Sequence, residues 1–204
     1  MLTIFLVRHG ETALNKDRRI QGGGTDTPLN ETGIRQKELV AARLKTGSFQ
    51  AIYSSPLQRA IETARAIARY HNMEVISEPG LREIDMGEFE GVQAIEKLGR
   101  HMAEILTMGA DGEKVPTMPG GESLLQVQTR VCGALDRLVV KHPEGSIVVV
   151  SHFFAILTIV CTVLGLPVSQ IARFRMNPGT ISTVSFDGGV PRLHSFNDSG
   201  HLME

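Results

Sequence analysis

Cysteine is scarce in this chain, with Cys132 and Cys161 the two examples in 204 residues. Neither stands at metal-ligand spacing and both fall in apolar periodic segments, so they read as buried free thiols. A surplus of positive charge is also missing: 21 Lys and Arg face 22 Asp and Glu, for a formal charge of −1. That balance argues against a general nucleic-acid-binding surface, though it leaves room for a local cationic pocket. The first residues lack a basic stretch followed by an apolar segment and a cleavage site, and a cytoplasmic location is expected. The longest apolar run, residues 153–166, is broken by Thr158 and Thr162 and is too short to span a bilayer. No membrane association is expected. What is present, 42% apolar residues with ordinary glycine and proline, is the composition of a globular chain.

Residues 3–7 are apolar and rich in branched side chains, as in a strand covered on both faces. The loop after them, through Gly22-Gly23-Gly24 and Pro28, exceeds the usual βα connection, a length that often signals a site. Asn30 is placed to cap a helix from Glu31 in which Gly33, Ile34, Leu39, Val40 and Leu44 give a partly apolar face before Gly47 stops it. A short strand follows at residues 51–54, then a helix opened by Pro56 and running to about residue 70, with a small-residue stripe at Ala60, Ala64, Ile67 and Ala68. Residues 74–77 read as a third strand, and Ser123 as the cap of a long helix. The β-branched run at residues 147–150 is the best central strand, with residues 153–166 as a helix packed behind it. The tail, residues 181–196, alternates around Asp187-Gly188-Gly189 like a hairpin. The fold expected is a three-layer α/β sandwich: a mostly parallel central sheet, helices on both faces and an antiparallel edge. We read residues 1–204 as one domain, with residues 92–121 as a small inserted cap or lid.

Ligands in such folds sit beyond the C-terminal ends of the strands. Two histidines occur there, His9 after residues 3–7 and His152 after residues 147–150. A neutral imidazole is nucleophilic near pH 7, and a phosphoryl–nitrogen bond is labile enough for water to break. Gly10 could help orient the other ring nitrogen. Phosphate oxygens suit the arginine fork, which Arg8 offers at the strand end and Arg59 at the start of a helix where free N–H groups already favour anions. An acid to protonate a leaving oxygen could be Glu83, Asp85 or Glu11, and spacing alone leaves these three open.

The blocks Leu6-Val7-Arg8-His9-Gly10-Glu11-Thr12, Asn15, Arg19-Ile20-Gln21-Gly22, Ser54-Ser55-Pro56-Leu57-Gln58-Arg59-Ala60, Leu81-Arg82-Glu83-Ile84-Asp85-Met86-Gly87 and Val150-Ser151-His152 together resemble the histidine phosphatase superfamily, in its phosphoglycerate-mutase-like branch. The resemblance covers almost the whole chain. It implies His9 as nucleophile, Glu83 as general acid, and Arg8, Arg59 and His152 as the phosphate pocket. It further implies that Asn15 contacts phosphate and that Gln21 and Gly22 lie at the pocket edge. No metal or cofactor is implied. Relatives usually have glycine after the second histidine, where this chain has Phe153-Phe154; the Phe153 N–H could still donate to phosphate, while its ring must enter either the core or the pocket mouth.

Hydrolysis of a small phosphomonoester is the activity expected. Mutases of this resemblance generally carry longer segments enclosing the site; a phosphoglycerate-type mutase and a catalytically weak phosphate- or phosphoprotein-binding module are the alternatives. Glu122 matches a position that often faces substrate, and Phe89, Phe153, Phe154 and Met118 would favour a partly apolar leaving group if they line the mouth. His201 is the remaining histidine whose proximity to the site matters. Exposed strand edges are compatible with a homodimer.

Overall fold

The computed structural model describes residues 1–93 and 117–203. The opening strand β1 (Leu2–Arg8) is covered on both faces as expected: Leu2, Ile4 and Leu6 enter one core and Val7 the other. Its apolar character on both faces puts it inside the sheet. Six strands, β1 with β2 (Ala51–Ser54), β3 (Val75–Ser77), β4 (Gly145–Ser151), β5 (Ile181–Asp187) and β6 (Val190–Asp198), are ordered β3-β2-β4-β1-β5-β6. The β3, β2, β4 and β1 strands run parallel, whereas β5 and β6 pair antiparallel as the hairpin at one edge.

Helices cover both faces. On one side α2 (Glu31–Leu44) and α3 (Gln58–Ala68) pack against Val7, Ile52, Val148 and Val150. On the other, α4 (Leu124–Lys141) and α5 (Phe153–Val163) share a core with Ile4, Ile147 and Val149 of the sheet. A one-turn helix, α1 (Ala13–Lys16), lies in the loop after β1.

Caps are where the sequence places them. The Asn30 side chain accepts the Gly33 N–H at 2.8 Å, and Ser123 with Gln126 forms a reciprocal capping box on α4. Several boundaries differ by a residue or more, two of them at helices. The helix α3 starts at Gln58 rather than at Pro56, because the Ser55 hydroxyl accepts the Leu57 N–H at 3.3 Å and holds that turn outside the helix. The apolar helix α5 ends at Val163, where Gly165 adopts a φ of +65° ahead of Pro167. Most of the expected cap, residues 94–116, lies outside the described residues. Cys161 is buried as expected, but Cys132 is only partly so, its sulfur 3.2 Å from the Thr162 hydroxyl. Among the described residues no helix is long and apolar enough to cross a membrane.

The loop leaving β1 passes so close to α2 that both partners must be glycine. A Cβ on Gly10 would lie 2.6 Å from the Gly33 carbonyl oxygen, and one on Gly33 would lie 2.0 Å from the Glu11 carbonyl oxygen. Backbone cannot yield as a flexible side chain can. Substituting Gly33→Ala should therefore cost about 1–3 kcal/mol, the usual penalty of overpacking, read as a lower urea midpoint; an unchanged midpoint would show that the approach is not constrained.

Candidate active site

Register decides which residues meet. Pairing of β1 with β4 sets Arg8 opposite Ser151, and the His9 N–H donates to the Ser151 carbonyl at 3.1 Å. Each strand is followed by a histidine, and the two buried rings have centroids 5.0 Å apart. The Nδ1 of His9 lies 2.7 Å from the Gly10 carbonyl oxygen. A carbonyl can only accept, so Nδ1 carries the proton and Nε2 keeps the lone pair. Burial pushes the His9 pKa well below the imidazole range, and the charges of Arg59 and Arg8 push it the same way, against the bond to Gly10. His152 is lowered too, first by burial and then by Arg59, His9, Arg8 and Arg130. Both rings are neutral at neutral pH.

Arg59 is the second residue of α3, fully buried, with Nη1 donating to the Thr25 carbonyl at 2.8 Å and Nη2 to the Gly22 carbonyl at 3.1 Å. Arg8 donates from Nη1 to the Met176 carbonyl, and its guanidinium carbon sits 5.1 Å from the centre of the Phe153 ring. Taking a guanidinium out of water costs several kcal/mol unless it is compensated. Burial, the largest cause for each, lowers both pKa values to about 10, so both remain cations. Carbonyl oxygens meet part of that demand. The Nε of Arg8, the Nε of Arg59 and the Nδ1 of His152 are nonetheless buried with no hydrogen-bond partner among the described residues.

Of the three candidate acids, Glu83 alone lines the same cavity as His9. It is buried, and its carboxylate caps α5: the Phe154 N–H lies 3.1 and 3.2 Å from its two oxygens and the Ala155 N–H 3.3 Å from Oε1. The helix N-terminus is thus engaged by a side chain from another segment, with the Ile84 N–H adding a bond at 3.0 Å. Burial raises the Glu83 pKa, outweighing these N–H groups and the charges of Arg59 and Arg8, which lower it. Glu11 instead accepts the Asn30 side-chain amide at 2.8 Å, and Asp85 accepts the Gly87 N–H at 2.9 Å.

The cavity measures about 160 Å³ and is walled by Arg8, His9, Asn15, Gln21, Glu83 and Phe153 among others. Arg59, His152 and Gly22 are buried and do not line it. The Asn15 side chain turns back to the Thr12 N–H at 3.2 Å, and Gln21 accepts the Thr12 hydroxyl at 2.7 Å. The two phenylalanines both reach the cavity: Phe153 half-buried against Arg8, Phe154 buried and edge-on to it. Met118 is fully buried in the core and Phe89 packs against that core, so neither is among the cavity walls.

Sequence reasoning missed the residues that hold the site from behind. Glu122, considered above as a substrate contact, forms a bidentate pair with Arg130 at 2.7 and 2.8 Å. Arg130 also donates to the Arg82 and Glu83 carbonyls at 2.7 and 2.9 Å, and so fixes the backbone carrying Glu83. An arginine on the polar face of a long helix gives no signal of such a role. Glu90 accepts the Gly24 N–H at 2.8 Å and the Thr25 hydroxyl, tying down the glycine loop that Arg59 binds. His201 does approach the site: its Nε2 lies 2.8 Å from the Gly179 carbonyl, and the Gly179 N–H donates to the Arg8 and His9 carbonyls at 3.1 and 3.0 Å.

An α/β sheet ending in paired histidines, buried arginines and one carboxylate defines a phosphoryl-handling enzyme class, and comparison with known proteins agrees. The family model described as the histidine phosphatase superfamily (branch 1) matches residues 4–199. The chain belongs to that superfamily. A Proteus mirabilis protein named "Probable phosphoglycerate mutase GpmB" is 38% identical over 91% of this chain and 86% of its own length. A protein of the same name from Yersinia pestis is 35% identical over 99% and 95% of the two chains. Among solved structures, a mutant phosphoserine phosphatase from Entamoeba histolytica in complex with phosphoserine has 35% identity and a TM-score of 0.88, with both chains fully covered.

The depressed imidazoles make stability depend on pH. The unfolded chain takes up a proton near the ordinary value of 6.5, whereas folded His9 does so only well below it. The contribution is therefore present above about pH 6.5 and is lost as pH falls toward the folded value. A His9→Gln variant should lose stability less steeply in that window, by up to about 1.4 kcal/mol per pH unit, in urea unfolding at a series of pH values. Equal slopes for the two proteins would contradict the depressed pKa.

Proposed function

We propose that the chain hydrolyses a small phosphomonoester through a phosphohistidine on His9. The observation that carries this reading is the set of three buried nitrogens without hydrogen-bond partners among the described residues, on Arg8, Arg59 and His152, together with the neutral imidazole of His9. Donors of one sign at one place call for an anion with several oxygens, and a phosphoryl group supplies them. The Nε2 lone pair of His9 attacks phosphorus as the ester P–O bond breaks, and Glu83, whose pKa burial raises, gives a proton to the departing alkoxide. In the second step water attacks the phosphoryl group, Glu83 accepts its proton, and inorganic phosphate leaves with His9 restored. Asn15 and Gln21, on the cavity wall, contact the phosphoryl oxygens or the ester, Gly22 holds Arg59, and Phe153 shields Arg8 from water while offering an apolar face to the alcohol. Every step is carried by side chains of this chain, with no metal or cofactor invoked.

A second reading shares the first half-reaction. The names of the two curated relatives favour a phosphoglycerate-type mutase, in which the phosphoryl group on His9 returns to another hydroxyl of a sugar acid instead of passing to water. The phosphoserine phosphatase at similar identity favours hydrolysis. Incubation with phosphoglycerate, with and without a bisphosphorylated primer, separates them: release of inorganic phosphate without isomer formation supports hydrolysis, and primer-dependent isomerisation supports the mutase.

Both readings require an acid-labile, base-stable phosphoryl group on His9 that a His9→Ala variant does not form; turnover by that variant would refute them. Exchanging Glu83→Gln should reduce kcat with alkyl phosphates by roughly 10²–10⁴-fold, the usual weight of general acid catalysis. An activated aryl phosphate, whose leaving group needs no proton, should be affected far less. Equal losses on the two substrates would remove Glu83 from the acid role.

A further inference from the structure

The hydrogen bond behind His152 decides which of its ring nitrogens faces the ligand. Its Nε2 lies 2.7 Å from the Ser55 hydroxyl oxygen, and both residues are fully buried. Ser55 is fixed by backbone as well as by side chain. Its N–H donates to the Val150 carbonyl at 3.0 Å, and its hydroxyl oxygen accepts the Leu57 N–H at 3.3 Å in the turn before α3.

Two proton arrangements fit that geometry. In one, His152 donates from Nε2 to Ser55. The serine hydrogen then has no acceptor among the described residues, and the buried Nδ1 becomes a lone pair with no donor. In the other, Ser55 donates to Nε2 and the ring proton sits on Nδ1. The serine is then satisfied twice, and the single group left over is an Nδ1–H; the Nε–H groups of Arg8 and Arg59, whose charges act on this ring, also lack partners among the described residues. Buried polar groups without partners cost about 1–3 kcal/mol each. The first arrangement leaves two, and it would aim a lone pair at an anion.

We infer that Ser55 is a positioning residue which fixes His152 as the Nδ1–H tautomer, so that a neutral imidazole serves as a hydrogen-bond donor to the transferring phosphoryl group. The inference rests on the phosphoryl-transfer reading for its ligand, but the tautomer itself is a property of the free protein. Neutrality is why a serine is needed. An imidazolium would donate from both nitrogens whatever lay behind it, whereas a neutral ring has one proton to place. Burial keeps His152 neutral first of all, and the charges of Arg59, Arg8 and Arg130 around it, with His9 alongside, act in the same direction.

Nitrogen-15 NMR of the histidine rings in the ligand-free enzyme tests this without any activity measurement. The expected result is a protonated Nδ1 and an unprotonated Nε2 on His152, assigned by loss of the signals in a His152→Gln variant. A protonated Nε2, or a mixture, in the wild type would overturn the inference. In Ser55→Ala the ring should become a tautomer mixture, and the affinity for orthovanadate should fall roughly 10- to 100-fold, the worth of a hydrogen bond to a charged group. Ser55→Thr, which keeps a hydroxyl, should recover most of it. An intact Nδ1–H tautomer and unchanged orthovanadate affinity in Ser55→Ala would also overturn the inference. Failure of the underlying reading looks different: the wild type would show the predicted tautomer yet neither bind orthovanadate nor label His9.

Discussion

Seven paired residues along β1 and β4 set where the chemistry can occur. Because the strands run parallel and end together, the residues after Arg8 and Ser151 emerge side by side, and in this sequence both are histidines. A shift of one residue in that register would turn every side chain of β1 to the opposite face and separate the rings. The register is protected by the two cores. Leu2, Ile4 and Leu6 on one face and Val7 on the other are almost inaccessible to water, so a slipped pairing would have to repack both cores.

The site built on this register is electrostatically one-sided. Half-buried Arg8 and fully buried Arg59 are cations, and the carboxylate on the cavity wall, Glu83, is itself driven toward its neutral form. Loop carbonyls from Gly22, Thr25 and Met176 steady the guanidinium groups without neutralising them. On the proposed reading, stability is thereby given up for a prepared anion site, since a buried donor left unpaired is costly until an anion arrives. Burial first, and then the same positive surroundings, lower both histidine pKa values, which keeps the His9 lone pair free. Surrounding segments are recruited to hold this arrangement: Arg130 grips the Glu83 backbone, Glu90 the glycine loop, and Gly179 the carbonyls of Arg8 and His9.

Much of this was legible in the chain because strands and their ends are local. The apolar run before Arg8, the β-branched run before His152 and the capping signals at Asn30 and Ser123 each report on their own neighbourhood, and each element formed where they stand. What could not be read depends on partners far apart in sequence. Nothing near Glu83 announces that it caps the helix beginning at Phe153, or that Glu122 would turn to Arg130 rather than to a ligand. The pair Phe153-Phe154 was ambiguous for the same reason: one ring covers Arg8 and the other joins the core, and only the assembled sheet decides which.

On the proposed reading, the buried, partnerless nitrogens of Arg8, Arg59 and His152 form a preassembled anion site. Thermal unfolding with increasing inorganic phosphate measures it directly, since a ligand bound only by the folded state raises Tm with concentration. The account predicts a progressive rise for the wild type, matched by an equal concentration of chloride in neither size nor saturation, and little or no rise for an Arg59→Met variant. A wild-type Tm that responds to phosphate no more than to chloride would contradict it.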